Sequence, residues 1–325
     1  ASTGCQQQMR ILIHFRFSED EIVGFQQIAS EHGGHEVVHA LEEVEAVELA
    51  PEAEVLLGLF PPSVCAAAPA LRWIQSAGAG MDSFLFPEII DREEVTITNM
   101  AGLYANQGAE QAWALLLYLS RGLSHVVGDD GNREWPFRST ELTGATLGVI
   151  GLGGFGMEMV KRARGYDMTI LAVDPVREDK PDEVDELKPS TRENLHNLLQ
   201  RADAVMLACP RTPETEGLIG REELALMKET AYLVNVTRGG IVDEAALAAA
   251  LKNGEIAGAG LDVTDPEPLP SGSRLWDCPN FVYTPHRGGS SQHRPRKIYE
   301  FFRVNLRRYL VGEPLLNVVD KKRGF

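Results

Sequence analysis

The sequence predicts an α/β protein built from two doubly wound parallel-sheet domains, one inserted in the other. Three observations predict it. Short apolar runs alternate with helical patterns along the whole chain, the repeat of parallel α/β sheets. The runs are apolar nearly throughout instead of strictly alternating, as strands covered on both faces are. The length, 325 residues at 44% apolar, exceeds the usual single domain and allows each of two domains its own core.

In chain order, the first hundred residues carry four strand-like runs: RILIHF (10–15), EVLLGLF (54–60), LRWIQSA (71–77) and VTITNM (95–100). A helical stretch at 108–121, GAEQAWALLLYLSR, is apolar nearly all round, which predicts burial between layers or subunits and with it a homodimer. Six further runs follow: TLGVIG (146–151), MTILAVD (168–174), AVMLACP (204–210), AYLVNV (231–236), AGLDV (259–263) and FVYTPH (281–286). Between them, residues 176–194 are charged and contain Pro, and read as a solvated loop. The stretch 291–312 is amphipathic after Pro295, with Ile298, Phe302, Leu306 and Leu310 on one face. The two long helices read as crossings between domains. The expected division is therefore 9–107 plus 292–325 for one domain and 108–291 for the inserted one, because chain termini commonly return to one body.

Composition narrows the function classes. Lys and Arg number 31 against 47 Asp and Glu, a formal net charge of −16, which argues against nonspecific affinity for nucleic acid or an anionic membrane. No apolar run reaches roughly 18 residues, so no membrane span is expected. Cys5, Cys65, Cys209 and Cys278 lie far apart without a CxxC pair, which suggests neither a disulfide framework nor a zinc site and fits a reducing, cytoplasmic setting. The eight His residues form no HExxH and no ligand cluster, so no metal is implied. The opening, ASTGCQQQMR, reads as a tag remnant over residues 1–8, with the native start expected at Met9.

The strongest local signal is VIGLGGFG (149–156). Gly151, Gly153 and Gly156 match G-x-G-x-x-G between a strand and the helical stretch GMEMVKRARGY, and the next strand ends in Asp174, 18 residues past Gly156. Glycines there permit a tight turn and the close approach of a pyrophosphate to a helix N-terminus, and the acid can accept hydrogen bonds from an adenosine ribose. A carboxylate at 174 should repel a 2′-phosphate, so NAD is expected over NADP, although Arg177 softens the discrimination. Gly165 is expected to take the left-handed conformation that ends this helix. Both domains are thus expected to be Rossmann/flavodoxin-like.

Later strands end in polar residues: Arg238 in NVTRGG, Asp262 and Glu267 in LDVTDPEP, and His286 in TPH. Taken singly, each reads equally well as an ion pair, a turn or a structural His. In an open parallel sheet, however, ligands bind beyond the carboxyl ends of the strands, so all four belong on the edge that carries the glycine turn.

With these segments in place, the chain resembles the D-isomer-specific 2-hydroxyacid dehydrogenases over residues 10 to 320. The resemblance is carried by GAGMD (78–82), AEQ in the long helix, GLGGFG, NVTRGGIVDEAAL (235–247), LDVTDPEP (261–268), TPH (284–286) and LLNVVD (315–320). It implies an NAD-dependent enzyme acting on a small 2-oxo or 2-hydroxy acid in a cleft that closes over cofactor and substrate. In this implied site Arg238 holds the substrate carboxylate and carbonyl, His286 is the acid/base and Glu267 its partner. Asp262 would hold the nicotinamide carboxamide, and the backbone at Gly78, Ala79 and Gly80 the substrate carboxylate. Gly154, Phe155, Cys209, Thr215 and Val236 complete the implied cofactor contacts. Hydride transfer to an oxo acid builds negative charge on the carbonyl oxygen, which a His can protonate and an Arg can offset. The fork of Arg binds both oxygens of a carboxylate at once.

LGLFPP (57–62) stands where the family lines its pocket, with Leu59 and Phe60 as an apolar wall. SRLWDCP (273–279) resembles a stretch of the glyoxylate and hydroxypyruvate reductase branch, and gives Trp276 either a neighbouring active site or an interface to anchor. Arg287 directly after His286, with His293 and Arg294 close behind, departs from the family pattern. Two rival expectations stay open: an NAD(H)-sensing, corepressor-like interaction protein on the same fold, and a dehydrogenase of formate or phosphite.

Overall fold

The fold is that of a computed structural model, which describes residues 8–82, 84–123 and 139–324. Residues 1–7 of the expected tag remnant, Cys5 among them, lie outside the described residues. The chain divides into two compact units, Ala1–Leu103 with Gln292–Phe325, and Tyr104–Ser291.

The first unit opens with β1 (Arg10–His14), α1 (Glu19–Glu31), β2 (Glu36–His39), α2 (Glu43–Leu49), β3 (Ala53–Gly58), α3 (Pro62–Ala66), β4 (Trp73–Ser76), α4 (Pro87–Ile90) and β5 (Thr96–Thr98). These strands form a parallel sheet of order β2-β1-β3-β4-β5, the flavodoxin-like doubly wound arrangement. Ile11, Leu12 and Ile13 are wholly buried in the interior strand β1, each contributing about 1.5–3 kcal/mol through lost apolar exposure. Helix α1 begins on a capping box: Ser18 Oγ accepts from Glu21 N (3.3 Å) and Glu21 Oε2 from Ser18 N (2.8 Å), so two otherwise orphaned donors are satisfied.

The second unit contains α5 (Ala105–Ser120), β6 (Thr146–Ile150), α6 (Gly154–Ala163), β7 (Thr169–Asp174), β8 (Glu186–Pro189), α7 (Arg192–Arg201), β9 (Ala204–Leu207), α8 (Arg221–Leu226), β10 (Tyr232–Asn235), α9 (Glu244–Asn253), β11 (Gly258–Leu261) and β12 (Phe281–Tyr283). Its seven strands run parallel in the order β12-β11-β10-β9-β6-β7-β8. That is the Rossmann order with one strand added at an edge. Two hydrophobic clusters flank the sheet, one gathering Leu198, Leu233 and Leu251 and the other Leu116, Met159 and Val234. The expected near-all-round burial of the long helix is seen in α5, where Ala109, Ala112, Leu115, Leu116 and Leu119 are all buried. It starts at Ala105, three residues before its apolar pattern begins.

The chain then returns to the first unit through α10 (Arg294–Val311), whose Ile298, Phe302, Leu306 and Leu310 are buried as the four-residue spacing predicts. Gly24 of α1 admits it: a Cβ there would stand 2.0 Å from the Tyr299 hydroxyl. Asn305 of the same helix is wholly buried and bonds Gln75 Oε1 (2.8 Å) and both backbone groups of Leu316.

Two expectations are corrected. Residues 176–194 are not simply a solvated loop, because β8 lies within them and pairs with β7 at the sheet edge. An edge strand is covered on one side only and need not be apolar, so hydrophobic periodicity gives no sign of it. Gly165 does not take the left-handed conformation. It sits inside a 3₁₀ turn, Arg164–Tyr166, and Asp167 (φ 52°) makes the reversal, as Asp is able to.

Candidate active site

The glycine turn meets the test of a dinucleotide site. Gly151 follows β6 with φ 93°, a conformation that favours glycine, and a Cβ there would stand 2.8 Å from the backbone at Ala208. A Cβ at Gly156 would meet Gly151 O at 2.2 Å, so the helix can sit this close to the strand only with glycine. Gly153 differs: a Cβ there meets nothing within 4 Å, and the residue caps α6 without a side-chain acceptor for the helix N–H groups. Open space in front of unsatisfied N–H groups at a helix N-terminus is what a pyrophosphate needs. Gly154 opens the helix beside it, and the Phe155 ring packs where Gly108 of α5 leaves room.

Asp174 ends β7, half-buried, with Oδ2 accepting from Leu152 N (2.7 Å) and Oδ1 from Val176 N (2.9 Å) and Arg177 N (2.8 Å). It is therefore clamped against the glycine turn. Arg177 donates to Leu152 O (3.0 Å) and pairs with Asp179 (3.2 Å), which places a guanidinium at the same turn. Cys209 follows β9, buried beside Gly151, and burial pushes its thiol up to about 12. Thr215 donates to Pro210 O (2.7 Å) and accepts from Thr212 N (2.8 Å), and Val236 is buried directly after β10.

The remaining polar residues stand at the same carboxyl edge. Arg238 lies three residues beyond β10 in a turn built by Asn235, whose Oδ1 accepts from Thr237 N (3.0 Å) and whose Nδ2 donates to Arg238 O (2.8 Å). Gly239 lets this turn touch the next one, since a Cβ there would stand 2.0 Å from Thr264 O. His286 follows β12 in the left-handed region (φ 51°), and its Nδ1 lies 2.9 Å from Glu267 Oε2, with both side chains partly open to solvent. An ionised carboxylate only accepts, so Nδ1 carries the proton it shares with Glu267. Glu267 is itself steadied by Thr264 N, which donates to Oε1 (3.3 Å).

Sequence reasoning missed the residues that hold these turns. Arg211 pairs with Asp265 (2.7 Å) and Glu216 (3.1 Å), and the bond to Asp265 raises its pKa above the usual guanidinium value. Glu244 accepts from Asp265 N (2.7 Å), and burial raises its carboxyl above the usual range. Arg211 lies in no segment singled out in the sequence, whereas Glu244 lies within NVTRGGIVDEAAL and its place there was the one available signal.

Asp262 is wholly buried, and its carboxylate accepts hydrogen bonds from Thr284, Arg287 and Gly288. One expected role is corrected. Phe60 does not wall a pocket: it is 2% exposed in the core of the first unit, with its ring 5.5 Å from that of Phe84, whereas Leu59 is exposed. Alternation along the extended segment turns neighbouring side chains to opposite faces. The loop Gly78, Ala79 and Gly80 is half-buried in the first unit; Gly78 N donates to Ser76 Oγ (3.0 Å), and Asn99 Nδ2 to Ala79 O (2.8 Å). Among the described residues no group of three or more His, Cys, Asp or Glu is placed to hold a metal ion, and no helix is long and apolar enough to cross a membrane.

A nucleotide-type turn and a hydrogen-bonded His–Glu pair on one sheet edge define a dehydrogenase-like α/β protein. Residues 113–288 match the family model "D-isomer specific 2-hydroxyacid dehydrogenase, NAD binding domain". The chain is 36% identical over 270 residues to a glyoxylate reductase of Thermococcus gammatolerans, covering 78% of each. It is 34% identical over 320 residues to a D-3-phosphoglycerate dehydrogenase of Methanocaldococcus jannaschii, covering 96% of this chain but 59% of that protein's length. A solved structure, a D-isomer specific 2-hydroxyacid dehydrogenase from Xanthobacter autotrophicus Py2 in complex with NADPH and MES, superimposes with a TM-score of 0.80 at 27% identity, covering 98% of this chain and all of that one. The chain belongs to the D-isomer specific 2-hydroxyacid dehydrogenase family.

Proposed function

We propose that this protein is an NAD(H)-dependent oxidoreductase that interconverts a small 2-oxo acid and its D-2-hydroxy acid. The observation that carries the reading is the 2.9 Å hydrogen bond between His286 and Glu267 on the sheet edge that also bears the glycine turn. Glycines 151, 153 and 156 would hold the pyrophosphate against the N-terminus of α6, and Asp174 would receive the ribose hydroxyls. The bound nicotinamide supplies or accepts the hydride.

The chain's own residues manage the charge that this chemistry creates. In the reducing direction Nε2–H of the protonated His286 gives its proton to the substrate oxygen as that oxygen gains negative charge. Glu267 accepts from Nδ1–H throughout, which keeps the ring oriented and favours the positive charge it must carry. Arg238 binds the substrate carboxylate through its fork and polarises the carbonyl. Because Gly78 N–H is already given to Ser76, the backbone donors assigned to the carboxylate are Ala79 and Gly80. In the oxidising direction the neutral ring accepts the hydroxyl proton at Nε2.

A short polar substrate such as glyoxylate or hydroxypyruvate leads, supported by the likeness to glyoxylate reductases. NAD is favoured over NADP by the Asp174 carboxylate, and Arg177 is the group that would admit NADP. A cytoplasmic homodimer is part of the same reading; the acidic composition supports the setting, whereas α5 buries its apolar residues within its own unit and offers a second copy no apolar face. The test is a spectrophotometric panel of 2-oxo acids with NADH and NADPH. Turnover of short oxo acids, faster with NADH, is expected; tight NADH binding with no turnover of any of them would favour the sensor reading.

A further inference from the structure

His286 stands in the left-handed backbone region (φ 51°), which strains a non-glycine residue, so something must over-determine it. The buried carboxylate of Asp262 does so. Its Oδ1 accepts from Thr284 Oγ1 (2.6 Å) and Arg287 N (2.9 Å), and its Oδ2 from Gly288 N (2.7 Å). Asp262 O also accepts from His286 N (2.7 Å), so the segment 284–288 is tied to one residue on both sides of the imidazole. A Cβ at Gly288 would stand 3.0 Å from Oδ2.

One donor to this cluster comes from a different element. Gln111, half-buried on α5, places Nε2 2.8 Å from Thr284 Oγ1 and 3.4 Å from Asp262 Oδ1. The Thr284 hydroxyl has one proton, and the acceptor-only carboxylate takes it at 2.6 Å. Its lone pairs therefore face Gln111, which fixes the amide with its nitrogen toward Thr284. The hydrogen bonds run one way: Gln111 N–H to Thr284 O–H to Asp262, and Asp262 to the backbone that bears His286.

We infer that Gln111 is a positioning residue for His286, acting from α5 through the Thr284 hydroxyl and the Asp262 carboxylate. This rests on the proposed acid/base role of His286. Gln111→Met keeps length and removes the donor; Thr284→Val removes the hydroxyl at constant shape, and Thr284→Ser retains it. Gln111→Met and Thr284→Val should each lower kcat about ten-fold, with KM for the oxo acid and Kd for NADH changed less than about two-fold, because only the placement of the proton donor is lost. The double variant should lose little more than either single, since both cut one chain of hydrogen bonds. Thr284→Ser should restore kcat. The imidazole NMR signal of His286, identified by its loss in His286→Asn, should move in Gln111→Met and Thr284→Val and stay in place in Thr284→Ser. Should Gln111→Met not fold, Gln111→Ala, which removes the amide without putting a thioether in its place, carries the same comparison. An unchanged kcat, or losses that multiply in the double variant, overturns the inference. If no oxo acid is turned over by the unaltered protein, the reaction reading fails by itself, and the NMR signal alone decides: a shift upholds the positioning role and an unmoved signal overturns it.

Discussion

At the scale of single residues, the account turns on a hydrogen bond between two partly exposed side chains. Glu267→Gln keeps the shape and removes the charge, and should lower kcat about 100-fold while NADH affinity, measured by fluorescence quenching, stays near its original value. Equal losses of cofactor affinity and turnover would instead place Glu267 among structural residues. The thiols give an independent check on the buried surroundings. Cys65 and Cys209 are both buried and both pushed up to about 12 by that burial, so neither should form thiolate at mildly alkaline pH. Alkylation of the native protein followed by peptide mass spectrometry should label Cys278, which is only half-buried, well before either. The placement of His286, Glu267 and Arg238 on one sheet edge was legible in the sequence because polar residues after strands stand out against apolar runs. The hydrogen bonds by which Asp262 holds backbone N–H groups were not, since such a carboxylate looks identical in sequence to one that serves a ligand.

At the scale of elements, the turn between β6 and α6 separates two uses of glycine. Gly156→Ala drives a Cβ into Gly151 O and should destabilise the protein by about 1–3 kcal/mol in urea unfolding. Gly153→Ala meets no other atom within 4 Å, and as an N-cap exchange costs about 1 kcal/mol or less. It should nevertheless raise the NADH dissociation constant about ten-fold, because its methyl occupies the approach to the helix N-terminus. Normal NADH affinity in Gly153→Ala would contradict the assignment of that space. Ten strands were readable from apolar runs because parallel strands are covered on both faces. The other two, β2 and β8, are sheet edges of four residues with polar members, and there local pattern gives way to pairing with a neighbour. The end of α6 was misjudged for a related reason, since Asp167 can adopt the left-handed conformation without being glycine.

At the scale of the whole molecule, each unit owns a sheet and a core, and the chain passes from the first unit to the second and back once. A fragment of residues 104–291 carries the glycine turn, the His286–Glu267 pair and the Gln111 chain of hydrogen bonds. It is expected to unfold cooperatively and, if Ala79 and Gly80 supply the carboxylate donors as proposed, to bind NADH without turning over any oxo acid, as judged by calorimetry and by assay. A fragment that turns over substrate would remove those donors from the site. The most direct test of the central claim is the single-turnover rate at which saturated enzyme–NADH loses its absorbance on mixing with glyoxylate, compared between the unaltered protein and His286→Ala. If His286 delivers the proton, the rate falls about 1000-fold while NADH remains bound as tightly as before; an undiminished rate in His286→Ala would contradict the claim.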